Sequence, residues 1–258
     1  MRIPRGARRI PESGYHPTNS KRKMKEMLKG ILMGTVWLRV WNRCLAGNRV
    51  RDGGRQNRIH IGKSLLTRTL IRIAGRDNEV SIGDGCRLHD LKILVTGDSL
   101  RVEIADHCRL RGKIKVEDVG SQIAVGAGTT MENAYLGAYE GTSIRIGENC
   151  MFSDQVGLRT GDMHSIVEKA TGARLNPSRS IAIEPGVWLC RGVTVLKGCT
   201  IGSGTVVGGY SIVTDSLPAG VLAVGSPAGI VRKDVSWKRE RLAADRPDGA
   251  SAPQGPAS

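Results

Sequence analysis

The sequence contains few aromatic residues, no long hydrophobic run and no paired-cysteine motif. Four Trp, four Tyr and one Phe are the only aromatic residues among 258, which is little filling for the core of a large α/β enzyme. The longest uncharged apolar run, residues 30–38, is far shorter than the ~20 residues of a membrane-spanning helix and does not fit an export signal. The six cysteines show no C-x-x-C spacing. We therefore expect reduced thiols and a cytoplasmic protein.

Lysine and arginine are concentrated at one end of the chain. Residues 1–58 contain 15 Lys and Arg against three acidic residues, a net charge of +12 out of +15 for the whole chain. We expect a basic arm over residues 1–58 that contains an amphipathic helix over residues 21–47. An anionic membrane surface, an anionic substrate and plain exposure to solvent remain alternatives for this arm. The rest of the chain has no nucleic-acid-binding motif and few aromatics for base stacking, so we expect no nucleic acid partner.

A short repeat runs through the middle of the chain. Four versions of one pentapeptide begin 22, 21 and 21 residues apart, at Ile82, Ile104, Val125 and Ile146. After an interruption, aliphatic anchors recur every six residues, at Ile183, Leu189, Val195, Ile201, Val207 and Val213. A six-residue period fits a coil with three flat faces per turn, in which every anchor points inward and successive turns stack as parallel strands. The sequence therefore predicts an all-β body built as a parallel β-helix.

Four of the six cysteines occupy one position of this repeat. Each follows an anchor by four residues, where a small inward side chain is needed; they are Cys86, Cys108, Cys150 and Cys199. Free cysteine packs as a small hydrophobic residue at such a position. We interpret these thiols as structural rather than as metal ligands or redox groups.

The stretch from Gly161 to Lys233 resembles the hexapeptide-repeat acyltransferases. It contains G-D-M-H-S, then V-W-L on a coil face, and finally G-S-P-A-G followed by V-R-K. The resemblance implies a left-handed parallel β-helix over residues 59–235 and a homotrimer with active sites between neighbouring subunits. It is strongest to the sugar and polysaccharide O-acetyltransferases, which implies acetyl-CoA as co-substrate, a carbohydrate acceptor such as an acidic polysaccharide, and no metal. Residues 243–258 contain no apolar anchor, and we expect a largely disordered C-terminal tail over residues 236–258.

Acyl transfer from a thioester to a hydroxyl requires a base and support for the oxyanion. Of the five histidines, His164 alone lies where the repeat breaks, between the anchors Ile146 and Ile183. The resemblance implies that His164 is the general base. Asp162, two residues earlier in a stretch taken as extended, either orients the imidazole or faces the acceptor. Glu184, directly after an anchor, is a second candidate for orienting the imidazole.

Trp188 directly precedes an anchor and should face outward from the coil. A subunit interface and a wall of the substrate site are the alternatives for this side chain, and the resemblance favours the substrate site. The coenzyme A site of the family matches Arg191, Gly209, Thr214, Arg232 and Lys233. A glycine lets the backbone approach the pantetheine closely, and cations can pair with phosphates. Asp215 stands where the family commonly has Lys, which removes one phosphate partner.

Three other functions remain open at this stage. The same chemistry could act on an amino sugar or a hydroxy amino acid. A metal enzyme on the same coil, like the γ-type carbonic anhydrases, needs an H-x-x-x-x-H pair that the sequence lacks. A binding or scaffold module without catalysis would keep the coil and lose the role of His164.

Overall fold

A computed structural model of the protein describes residues 47–243, which form 20 β-strands in two sheets of 13 and seven strands. Nearly all of the predicted amphipathic helix, most of the basic arm and residues 244–258 of the tail lie outside the described residues. In chain order the strands are β1 (Arg49–Asp52), β2 (Arg58–Ile61), β3 (Leu65–Thr67), β4 (Leu70–Ala74), β5 (Glu79–Ile82), β6 (Arg87–Thr96), β7 (Arg101–Ile104), β8 (Arg109–Glu117), β9 (Gln122–Val125), β10 (Thr130–Ala138), β11 (Ser143–Ile146), β12 (Met151–Arg159), β13 (Ile181–Ile183), β14 (Trp188–Leu189), β15 (Thr194–Val195), β16 (Thr200–Ile201), β17 (Val206–Val207), β18 (Ile212–Val213), β19 (Leu222–Gly225) and β20 (Ala228–Arg232).

The strands form the three faces of a parallel coil of about eight turns. Face 1 is the seven-stranded sheet, β2–β5–β7–β9–β11–β13–β16. The long strands β6, β8, β10 and β12 bend at a register shift or a turn of the coil and so supply both other faces. In β12, Met151 and Phe152 pair with β14 on face 2, whereas Gly157 and Leu158 pair with β15 on face 3. Face 2 also contains β3, β17 and β19, and face 3 also contains β1, β4 and β18.

The core is the column of aliphatic anchors that the repeat predicts. All ten predicted anchors are buried, from Ile82 in the second turn to Val213 in the seventh. Cys86, Cys108, Cys150 and Cys199 are buried between them. Burial raises the pKa of the Cys150 thiol to about 11. The structural interpretation of these four cysteines is thus supported by their position.

The coil begins earlier than the sequence predicts. The predicted β-helix starts at residue 59, directly after the predicted basic arm, but Arg49–Asp52 forms β1 and pairs in parallel with β4. The side chains of Arg49 and Arg51 point outward from this strand and are exposed. The sequence does not indicate this strand, because Val50 is its only apolar residue.

The C-terminal end of the coil is closed by the antiparallel pair β19–β20. After β20, Trp237 and Arg239 contact earlier turns of the coil, whereas the expected disorder over most of residues 236–258 stays a prediction. Within residues 47–243 no helix is long and apolar enough to cross a membrane.

Candidate active site

The break in the repeat is an ordered loop, residues 160–180, between β12 and β13. Its two ends meet where the Arg179 amide donates to the Thr160 carbonyl at 2.8 Å. Farther out, Val167 and Arg174 form an antiparallel bridge, and the Leu175 amide donates to the Ile166 carbonyl at 2.7 Å. The loop therefore leaves the coil as a short hairpin. It carries His164 on its outgoing arm, with the side chain exposed.

Asn176 fixes the backbone around His164. This side chain is only 7% exposed although it belongs to a loop. Its Nδ2 donates to the His164 carbonyl and to the Asp162 carboxylate, both at 2.8 Å, and its Oδ1 accepts from the Ile166 amide at 2.7 Å. A buried amide with these partners holds the two arms of the loop together, because each lost bond would leave a polar group unsatisfied.

The carboxylate of Asp162 faces the coil. It accepts from Asn176 and from the ammonium of Lys197, which also donates to the Asn176 carbonyl at 3.1 Å. The hydrogen bond from Lys197, followed by that from Asn176, holds the pKa of Asp162 below its usual range. No contact in residues 47–243 joins this carboxylate to the His164 imidazole.

Asp162 and His164 do not pair in the described structure, because the chain is not extended between them. Met163 has φ 66°, in the left-handed region, and the chain bends there. Two side chains at i and i+2 share a face only in an extended strand. Asp162 contributes to the loop contacts in this structure, and its two predicted roles, orienting the imidazole and facing the acceptor, stay predictions.

Trp188 lies on face 2 and is covered by the C-terminal segment. Its indole N–H donates to Ser153 Oγ at 3.4 Å, and its ring centroid is 5.7 Å from that of Trp237. The Trp237 indole N–H donates to the Gly186 carbonyl at 2.6 Å. Arg239 extends the contact by donating to Thr130 Oγ1 at 2.9 Å and to the Cys150 carbonyl at 3.1 Å. The segment thus spans several turns of the coil.

The predicted coenzyme A residues occupy the last turns. Arg191 and Gly209 lie one turn apart at the same corner, where the Tyr210 amide donates to the Arg191 carbonyl at 2.8 Å. The Arg191 guanidinium lies 3.7 Å from the Asp154 carboxylate. Thr214 donates to the neighbouring Asp215 carboxylate at 2.8 Å. Arg232 ends β20 and Lys233 follows it, both exposed.

The remaining predicted residue, Glu184, lies at the corner after β13. Its side chain is exposed, and its carbonyl accepts from the Cys150 thiol at 3.2 Å. Among the described residues it makes no contact with the His164 ring, so its predicted role as an orienting group has no support in the geometry.

A groove of about 850 Å³ runs beside the loop on face 3. Its lining includes Lys113, Tyr135, Arg159, Asp162 and Lys197. Asp162 is the one predicted site residue in this lining; the other four were missed. Nothing in the local sequence marks them, because they come from different turns and meet only when the coil stacks. In residues 47–243 no group of three or more His, Cys, Asp or Glu side chains is placed to hold a metal ion.

Comparison with known proteins identifies the family. No family model matches the chain. A polysialic acid O-acetyltransferase from Neisseria meningitidis is 34% identical over 146 residues, which are 56% of this chain and 68% of that protein. The chain belongs to the hexapeptide-repeat acyltransferases. The chain is thus an acyltransferase, which is the enzyme class that the sequence predicts.

Two solved structures match the fold of this acyltransferase over most of their length. The polysialic acid O-acetyltransferase OatWY superposes with a TM-score of 0.71 at 31% identity, over 75% of this chain and 93% of that one. The polySia-specific acetyltransferase NeuO superposes with a TM-score of 0.70 at 29% identity, over 76% and 91%. The predicted left-handed parallel β-helix is thereby confirmed.

Proposed function

We propose that the protein transfers an acetyl group from acetyl-CoA to a hydroxyl of a sugar or surface polysaccharide, with His164 as the general base. The observation that carries the proposal is the loop at the break of the coil. It places a single exposed histidine on a backbone that buried Asn176 holds in position. A positioned base on a rigid scaffold is what a direct transfer to a hydroxyl needs.

The transfer proceeds in one displacement through a tetrahedral intermediate. Neutral His164 accepts the proton of the sugar hydroxyl while the hydroxyl oxygen forms a bond with the thioester carbonyl carbon. The carbon–sulfur bond then breaks, and the proton on the imidazolium returns to the leaving thiolate. Backbone N–H groups would stabilise the oxyanion, as in other acyl transfers. This reaction needs no metal ion and no oxidant or reductant.

We propose a site shared between subunits of a homotrimer. His164 lies in the loop that follows face 3, whereas Trp188 lies on face 2 and the predicted coenzyme A residues lie in the last turns. A threefold arrangement brings different faces of neighbouring coils together. Trp188, Arg191, Gly209, Thr214, Arg232 and Lys233 keep their predicted roles as substrate or cofactor contacts under this proposal. The proposed compartment is the cytoplasm, where the five unpaired thiols of residues 47–243 would stay reduced.

The test is transfer from acetyl-CoA to a panel of carbohydrates. We expect free thiol to appear only when an acceptor is present, and mass spectrometry to show one added acetyl ester on the acceptor. Serine and an amino sugar belong in the panel, since a preference for either would support the alternative acceptors. Absence of acceptor-dependent thiol release across the panel would favour a non-catalytic module.

A further inference from the structure

The outward side of face 3 carries a double column of cations. Strand register places Arg51, Arg72, Lys115 and Arg159 in one column, with Leu94 and Gly137 at the two intervening positions. The adjacent column begins at Arg49, passes Leu70, and then has Lys92 and Lys113 on neighbouring strands. These seven residues, from Arg49 to Arg159, are named the cationic track. Neighbouring strands lie ~4.8 Å apart, so the track is about 24 Å long over its six strands.

Few acidic side chains lie close enough to the cationic track to neutralise its positive charge. Lys115 alone has an acidic partner in the described structure, Glu117, at 2.7 Å. Seven like charges on one flat face repel each other, and a bound polyanion would remove that repulsion.

Ion pairs are distributed unevenly over the faces of the coil. On face 1, Arg58 pairs with Glu79 at 3.4 Å. At the edge of face 2, the Asp90 carboxylate binds Arg68 at 2.6 Å and lies 3.7 Å from Arg111. Face 1 also has two exposed arginines without an acidic partner among the described residues, Arg101 and Arg145, whereas six cations of the cationic track lack such a partner.

An aromatic platform lies at the loop end of the cationic track. The Tyr135 ring has Lys113 Nζ 5.6 Å and Arg159 Cζ 4.7 Å from its centroid, and its hydroxyl lies 2.6 Å from that of Tyr139. Gly137 makes room for this pair, because a Cβ at that position would lie 2.6 Å from the Tyr139 hydroxyl. Cation–π contacts hold the ring and the charges in one arrangement.

A ring flanked by cations matches the chemistry of an acidic sugar, which presents an apolar ring face and a carboxylate. Next to Tyr135 in the strand register stands Gly157, which has no side chain. Both residues line the groove beside the loop, together with Asp162 and Lys197. Tyr135 therefore lies within the end of the cationic track that is nearest to the loop that carries His164.

We propose that the cationic track binds a linear acidic polysaccharide, which lies along the coil axis and extends into the groove beside the His164 loop. The inference rests on the proposed function, since it names the acceptor class for that site. Acetyl-CoA also carries negative charges, on the phosphates of its nucleotide end. That end is compact and would contact only a few of the seven cations. The length of the cationic track favours a polymer with an acid group on successive sugars.

The experiment removes two charges that lie several strands from the loop. The variant is Arg72→Gln/Lys92→Gln, and the matched control is Arg101→Gln/Arg145→Gln on face 1, where both side chains are exposed. Binding of polysialic acid and of neutral dextran is measured by calorimetry at low and high salt, and melting temperatures confirm folding. We expect wild type and control to bind polysialic acid but not dextran. The track variant should bind polysialic acid roughly tenfold more weakly at low salt, with a smaller difference at high salt.

Kinetics separate the possible ligands. If polysialic acid is acetylated, the track variant should raise KM for the polymer while kcat and KM for acetyl-CoA stay the same. A raised KM for acetyl-CoA with unchanged polymer binding would assign the cations to coenzyme A and overturn the proposal. Equal weakening in the face 1 control, or equal binding of dextran, would also overturn it. If no carbohydrate is acetylated but the track variant still binds polysialic acid more weakly than the wild type and the control, the proposed function is wrong. The proposal that the cationic track binds an acidic polysaccharide is then still supported.

Discussion

Lys197 and Asn176 hold the irregular loop of residues 160–180 against the regular surface of the coil. The Lys197 side chain is 15% exposed and reaches from the corner after β15 to the Asp162 carboxylate and the Asn176 carbonyl. Arg174 adds a second tie, donating to the Glu140 carboxylate at 2.7 Å. The position of His164 thus depends on side chains that have no direct part in the proposed chemistry.

Replacing Lys197 by Met should free the Asp162 carboxylate. Because Lys197 is the main cause of the lowered pKa, the pKa of Asp162 should rise toward the ordinary value of about 3.9 in the variant. A lowered pKa in the folded state adds stability above the unfolded pKa, and this contribution is lost as pH falls through the folded value. Carboxyl-carbon NMR titration measures the change.

The matched control is Lys115→Met, which removes an ammonium that pairs with Glu117 instead. It should leave the Asp162 titration as in the wild type. An unchanged Asp162 pKa in Lys197→Met would show that the ion pair does not hold the loop.

At the scale of elements, the C-terminal segment is the part whose role the sequence does not reveal. Residues 236–243 lay Trp237 against Trp188 and place Arg239 over the carbonyls of earlier turns. The aromatic pair joins the end of the chain to a predicted wall of the active site. We therefore expect this segment to stabilise both the coil and the site.

Two truncations test the segment. Ending the chain after residue 243 removes only residues 244–258, which contain no apolar anchor in the sequence, and should leave the melting temperature nearly unchanged. Ending it after residue 235 also removes Trp237 and Arg239 and should lower the melting temperature by several degrees, as expected for losing a half-buried aromatic contact and its hydrogen bonds. Calorimetry measures both. Equal melting temperatures for the two truncations would mean that the segment only rests on the surface.

The anchors of the coil could be predicted from the sequence because each turn uses the same local pattern. Ile183, Leu189 and Val195 are spaced six residues apart whatever their neighbours are, and the cysteines follow from the same rule. The loop could be predicted as well, since it interrupts the pattern. Contacts within the loop could not, because a left-handed bend at Met163 turns Asp162 away from His164.

Contacts between side chains of different turns could not be predicted from the sequence either. Lys197 is 35 residues from Asp162, and Tyr135 meets Arg159 only when strands β10 and β12 pair. Trp237 is 49 residues from its partner Trp188. The stacking of turns creates these neighbours, and single-turn periodicity contains no information about side chains at outward positions.

At the scale of the whole molecule, a coil with three faces must present different surfaces to different partners. Face 3 carries the cationic track, and the chain segment that precedes it contains eleven Lys and Arg against two acids in residues 1–46. The predicted contact of that arm with a membrane surface or an anionic substrate stays a prediction. Trp188 and the His164 loop belong to different faces, which is the geometric reason for proposing a site between subunits.

The assembly prediction is a homotrimer. Light scattering at micromolar concentration should give three times the chain mass, because threefold packing would cover outer faces that a small three-sided monomer leaves exposed. Measuring the mass of the His164→Ala variant as well separates assembly from catalysis. A monomer mass for the active protein would remove the shared site.

The most direct test of the proposed mechanism compares three histidine variants. His164→Ala should keep the fold and acetyl-CoA binding but lose kcat by ~10² to 10⁴, the usual contribution of a positioned base. His89, which lies 2.9 Å from the Asp90 carboxylate, and His107, at an exposed corner with φ 59°, are the matched controls. Turnover of acetyl-CoA with a carbohydrate acceptor should be near normal in His89→Ala and His107→Ala. Near-normal turnover in His164→Ala, with loss in either control, would contradict the assignment of the base to the loop.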